Sequence, residues 1–141
     1  MIVDANILLL AVDSRSPHHD PAARWLTDAL NGEVRVGLPW QTVGAFLRIV
    51  THPRVTADPL SAEAAQEFVD GWLAAGPVWI PPATRRTAAV YAELSSRHHV
   101  VGNLVPDAQL AALALEHGVA VVSADGDFAR FPEVRWINPL R

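Results

Sequence analysis

A chain of 141 residues, half of them hydrophobic and 18% charged, is long enough for one domain and is neither a disordered tail nor a purely solvating protein. The absence of cysteine excludes disulfides, thiolate zinc sites and thiol nucleophiles. A net charge of −4 argues against binding a polyanion by bulk charge, yet all 11 basic residues are arginines, whose forked guanidinium suits phosphate and whose monopoly excludes lysine-amine chemistry.

In chain order, the pattern predicts a strand over Ile2–Asp4, a helix over Asp20–Leu30, a strand over Val34–Gly37 and helices over Trp40–Thr51 and Ser61–Ala74. A strand over Val78–Ile80, helices over Ala83–Arg97 and Asp107–His117, and strands over Val119–Ser123 and Val134–Ile137 follow. Ser61 opens its helix with Glu63 in the first turn, Pro106 stands where a first helical residue belongs, and Gly118 closes the helix before a strand. Alternating strands and helices imply a three-layer α/β/α sandwich on a mostly parallel, roughly five-stranded sheet. No repeat or linker divides the chain, so residues 1–141 form a single domain. The segment MIVDANILLLAV has an acid where a leader has basic residues, and no apolar run approaches the ~18 residues that span a membrane. A cytoplasmic protein without membrane contact is the simplest expectation.

In such a fold, ligands sit beyond the carboxyl ends of the strands. Asp4 ends the first strand, and Asp125 and Asp127 lie just past Ser123 at the end of another. Asp107 opens the helix that feeds that same strand through Gly118. A helix running back across the sheet starts near the strands' carboxyl edge, so four carboxylates from three distant stretches meet at one rim. Each acid alone has a plainer reading: a helix cap at Asp4, a dipole partner at Asp107, a turn at Asp125-Gly126-Asp127, where glycine offers positive φ. Together they repel unless a cation neutralises them, and hard oxygen ligands select Mg²⁺ or Mn²⁺.

The stretches MIVDANILL, NLVPDAQLAALALEHG and VVSADGDFARF resemble, in order, the three acidic motifs of PIN-domain ribonucleases, specifically the VapC-type toxins of bacterial type II toxin–antitoxin pairs. PWQTVGAFLRIVTHPRV and FPEVRWINPL resemble one branch of those toxins, and the likeness spans the whole chain. It implies an endoribonuclease that cleaves phosphodiesters with Mg²⁺ or Mn²⁺, restrained by a cognate VapB-type antitoxin, and a homodimer. It also implies Asp4, Asp107 and Asp125 as metal-binding acids, Asp127 acting directly or through water, all four as catalytic residues, and Asn6 and Ser123 as polar supports. One departure stands out: the family supplies a further acid from the helix after the second strand, and here none occurs between Glu33 and Asp58. Gly44 or Ala45 holds that place. Gln41, on the same helix face as Ala45 and Arg48, either orients the site or is a solvated helix residue.

Arg15, Arg48 and Arg130, and also Arg54, Arg85, Arg86 and Arg97, are candidates for phosphate contacts with RNA. The pairs His18–His19 and His98–His99 make poor zinc chelators, since neighbours on a helix point ~100° apart. The five tryptophans are mostly core by default, while the helices bearing Trp25, Trp40 and Phe46 offer a groove for an antitoxin's amphipathic segment. Two rivals remain. A phosphotransfer domain also gathers aspartates around Mg²⁺, but normally needs a lysine and, in the phosphatase motif, an acid where Asn6 stands. A degenerate nuclease fold that only binds RNA or protein draws on the acid missing at Gln41–Ala45.

Overall fold

A computed structural model describes all residues, Met1–Arg141. Five short strands, β1 (Ile2–Val3), β2 (Val36–Gly37), β3 (Val78–Trp79), β4 (Val121–Val122) and β5 (Trp136–Ile137), form one sheet in the order β3-β2-β1-β4-β5. Every pairing is parallel. Around it lie α1 (Ala5–Val12), α2 (His19–Leu30), α3 (Trp40–Val50), α4 (Ala62–Ala74), α5 (Arg85–His98) and α6 (Leu104–His117), with a 3-10 turn over Gly126–Arg130.

The central strands alternate between two cores. Ile2 and Val121 belong to one, with residues of α5, α6 and the 3-10 turn; Val3 and Val122 belong to the other, with residues of α1 to α4. All four are fully buried, as expected of parallel strands covered on both faces. The chain builds outward from β1 through β2 to β3 with helices on one face. It then crosses to β4 on the other side of β1 through α5 and α6 on the opposite face. Changing face as the direction reverses keeps one crossover hand. The reversal leaves a crevice between the carboxyl ends of β1 and β4, where ligands bind in doubly wound sheets.

Element ends show which local signals held. Ser61 caps α4 by accepting from the Ala64 amide at 3.1 Å. Gly118 closes α6 with φ +67°, a left-handed position that glycine occupies without strain. Three expectations shift. The strands pair over two residues each, shorter than the apolar runs that carry them. The helix bearing Asp107 starts at Leu104, so Pro106 lies inside the first turn rather than at its first position, where its missing N–H still breaks no helical bond. And α1 is a helix that periodicity alone does not separate out, because its run ILLLAV is apolar on all sides. No helix is long and apolar enough to cross a membrane.

Aromatic placement also differs from the default. Of the tryptophans only Trp72 is buried; Trp25, Trp79 and Trp136 are half-buried and Trp40 is 69% exposed. Phe46 is fully buried and meets Trp72 edge-on at 4.8 Å. It is therefore core, so a groove on the helices bearing Trp25, Trp40 and Phe46 would be lined without the Phe46 ring. The apolar cleft on this side, about 370 Å³, lies between the far ends of α1 and α3 and is lined by Leu9, Leu10, Val12, Ile49, Val50 and Leu60 among others.

Candidate metal centre

Asp4 is the residue between β1 and α1, and its backbone amide bonds the Val122 carbonyl at 2.9 Å, locking it to β4. The buried Thr42 hydroxyl donates to the Val3 carbonyl at 2.8 Å, fixing the chain one residue upstream. Although Asp4 occupies the N-cap position of α1, its side chain makes no capping hydrogen bond. Its Oδ2 instead accepts from the Ser123 hydroxyl at 2.8 Å. Ser123 is fully buried, and its oxygen also accepts from Asn6 Nδ2 and from the Asp125 amide, both at 3.0 Å. One donor and two acceptor positions are thus all committed. The Asn6 carbonyl oxygen accepts from the Ala124 amide at 3.2 Å, and Trp136 Nε1 donates to the Ser123 carbonyl at 2.9 Å.

Past Ser123 the chain turns. Asp125 Oδ1 accepts from the Asp127 amide at 2.8 Å, so the turn reading holds for the backbone. Gly126 does not take positive φ, so conformation does not require glycine there. The charges point elsewhere: one carboxylate oxygen each from Asp107, Asp125 and Asp127 lie within 4.8 Å of one another. Asp107 and Asp125 are half-buried and Asp127 is exposed. Asp4 stands outside this trio but borders, with Asp107, a cleft of about 100 Å³.

Electrostatics register the crowding. Burial, then the charges of Asp125, Asp4 and Asp127, push the Asp107 carboxyl up to about 7. Burial also raises Asp4, the Ser123 hydroxyl and the amides of Ala5 and Asn6 pull it back, and Asp125 raises it again. Like charges held this close call for a cation, and the all-oxygen donor set suits a hard divalent ion.

The side of the cleft where an acid is missing is Gln41, Thr42 and Ala45. Gln41 and Ala45 thus face the same space as Asp4 and Asp107, with no charge to contribute. Of the arginines, Arg130 is exposed in the 3-10 turn that carries Asp127, and Arg48 is exposed on α3 beyond Gln41 and Ala45. Arg15 lies past the far end of α1, roughly 12 Å of helix from Asp4, and is bonded to Asp13 at 3.2 Å. Arg97 pairs with Glu133 at 3.5 Å. In the histidine pairs, His19 Nδ1 meets the Leu10 carbonyl at 3.0 Å while His18 is exposed, and His98 pairs with Glu133 at 2.8 Å while His99 ends α5 in a left-handed turn. Thr42, Gln109 and Trp136 are further site neighbours. All three lie in the stretches that carry the resemblance, but nothing in the sequence singles them out for a role.

Comparison with known proteins places the chain in a family. The PIN domain family model matches residues 1–134. Ribonuclease VapC37 of Mycobacterium tuberculosis is 46% identical over 138 residues, covering 98% of this chain and 96% of that protein. Ribonuclease VapC33 of the same species is 38% identical over 141 residues, covering 100% and 99%. Among solved structures, VapBC2 of Rickettsia felis bound to a promoter DNA fragment matches with TM-score 0.70 at 17% identity, covering 97% of this chain and 96% of that one. FitAcB of Neisseria gonorrhoeae matches with TM-score 0.69 at 21% identity, covering 98% and 96%. The chain belongs to the PIN-domain family, and within it to the VapC ribonucleases.

Proposed function

We propose that this chain is the toxin of a type II toxin–antitoxin pair and acts as a Mg²⁺- or Mn²⁺-dependent endoribonuclease. The observation that carries the reading is the trio of carboxylates from two separate elements, with oxygens within 4.8 Å of one another, beside an Asp4 that Ser123 holds in place. Asp107, Asp125 and Asp4 would hold the cation, with Asp127 reaching it directly or through water. Once bound, the ion supplies charge to offset the phosphate and acidifies water. Asp125 would accept a proton from the attacking water, whose oxygen bonds phosphorus as the bond to the 3′ oxygen breaks and that oxygen takes a proton from solvent, leaving a 5′-phosphate and a 3′-hydroxyl. Asn6 and Ser123 hold Asp4 and the Asp125 amide in position. Arg48 and Arg130, exposed on α3 and the 3-10 turn, would contact phosphates of the bound strand.

The VapBC neighbours are solved as toxin–antitoxin complexes, and the cleft between the far ends of α1 and α3 is where an amphipathic segment of a VapB-type antitoxin would seat. The test is purified, antitoxin-free protein on end-labelled RNA, with cation or with chelator. Discrete cuts bearing 5′-phosphates, present only with the cation, support the reading. A second reading, binding without cutting, draws on the uncharged Gln41 and Ala45. It predicts RNA affinity that survives Asp4→Asn and no cation-dependent products.

A further inference from the structure

The acidic cleft shares two of its walls with a larger cavity. Gln41 and Gln109 border both the 100 Å³ space beside Asp4 and Asp107 and a cavity of about 300 Å³ that extends along the start of α5. Its other walls are the methyls of Ala83 and Ala88, the ring of Tyr91, and Thr84 and Thr87. The two threonines are already committed. Both hydroxyls donate to Glu116, Thr87 Oγ1 accepts from the Thr84 amide at 2.8 Å, and Thr84 Oγ1 accepts from the Arg86 amide at 3.1 Å. Two neutral carboxamides and a phenol remain for a ligand, and no charged side chain lines the space.

That chemistry does not suit a phosphate, which the exposed Arg85 and Arg86 at the head of α5 would serve better. It suits a base. An aromatic ring offers a stacking face, and a carboxamide presents donor and acceptor side by side to a base edge. The volume is within the range of small-ligand sites. We propose that this cavity seats one unpaired nucleobase flanking the scissile phosphate, stacked by Tyr91 and read by Gln109 with Gln41. The inference rests on the ribonuclease reading above and adds to it the residues that select sequence.

The test compares wild type with Gln109→Ala and Ala88→Phe, both at exposed positions. Cut sites are profiled on random-sequence single-stranded RNA in Mg²⁺, and affinity for a labelled RNA is measured in Ca²⁺. Wild type should prefer certain bases at one position beside the cut. Gln109→Ala should flatten that preference by about tenfold, and Ala88→Phe, which fills the cavity, should weaken RNA affinity by about tenfold. Both variants should keep the wild-type rise in thermal midpoint with Mn²⁺, which reports the acidic cluster. Cutting with unchanged base preference and unchanged affinity in both variants overturns the base site and leaves the ribonuclease intact, as does a wild type with no preference beside the cut. If wild type binds RNA without cutting it, the affinity arm decides alone. A wild type that neither binds nor cuts overturns both readings.

Discussion

The Ser123 hydroxyl donates to Asp4 Oδ2 at 2.8 Å, joining residues 119 positions apart in the chain. The bond ties the end of β1 to the end of β4 across the crevice where strand order reverses, and it orients a carboxylate that the helix beneath does not cap. Serine suits the place because its single oxygen both gives to Asp4 and accepts from Asn6 and the Asp125 amide.

Ser123→Ala therefore removes more than one bond. It leaves the half-buried Asn6 amide and Asp125 N–H without that partner, which should cost ~1 kcal/mol of stability in urea unfolding. It also frees Asp4 to rotate, so cation affinity and cleavage should fall about 10- to 100-fold. Loss of stability with unchanged cation affinity would show that Ser123 supports the fold alone.

Asp107 makes the cluster sensitive to pH. Its proton is held up to about 7 in the folded chain and only to ~4 in the unfolded one. Between those values the folded state binds the extra proton, so this group's contribution to stability is fully present below ~4 and is lost as pH rises through about 7. Asp107→Asn should then raise the stability of the cation-free protein above neutrality, by ~1 kcal/mol after allowance for solvent screening at a half-exposed group. A divalent cation should do the same for wild type, with a larger rise in Tm at about pH 8 than at about pH 6 because the ligands must ionise. Thermal melts across pH, with and without Mn²⁺, check both.

Ala45 faces the acidic cleft without filling it. Ala45→Asp adds a carboxylate to this uncharged wall and should tighten Mn²⁺ binding roughly tenfold, since ligand charge tunes affinity. The same variant should be less stable than wild type without cation, because a fifth carboxylate joins the rim. Calorimetric titration and melts in chelator read the two effects.

Phe46 tests the corrected core. Fully buried against Trp72, it should cost ~3–5 kcal/mol as Phe46→Ala. A wall of a solvent-filled groove would cost far less.

The acids were legible before the fold because each sits where an apolar run ends or a helix begins. A hydrophobic pair followed by Asp4, and VAVVSA followed by Asp125, place carboxylates at strand ends whatever the exact pairing. Gly118 was legible because its left-handed turn has a local cause. Other features depend on contacts that only folding creates. Whether Phe46 points into the core or out to a partner is the same pattern in sequence. α1 is covered on several sides and so shows no polar face to betray its period. Gln109 and Trp136 lie inside stretches that carry the family resemblance, yet they border the site because of the elements beside them, which the stretches alone do not show.

The most direct test of the central claim is cleavage of one end-labelled RNA by wild type and by Asp107→Asn, purified identically and assayed in Mg²⁺. The four-carboxylate centre predicts discrete cuts by wild type and a loss of at least about 100-fold in the variant. Equal cutting by both proteins would contradict it, because then the carboxylate at the middle of the cluster would not serve the reaction.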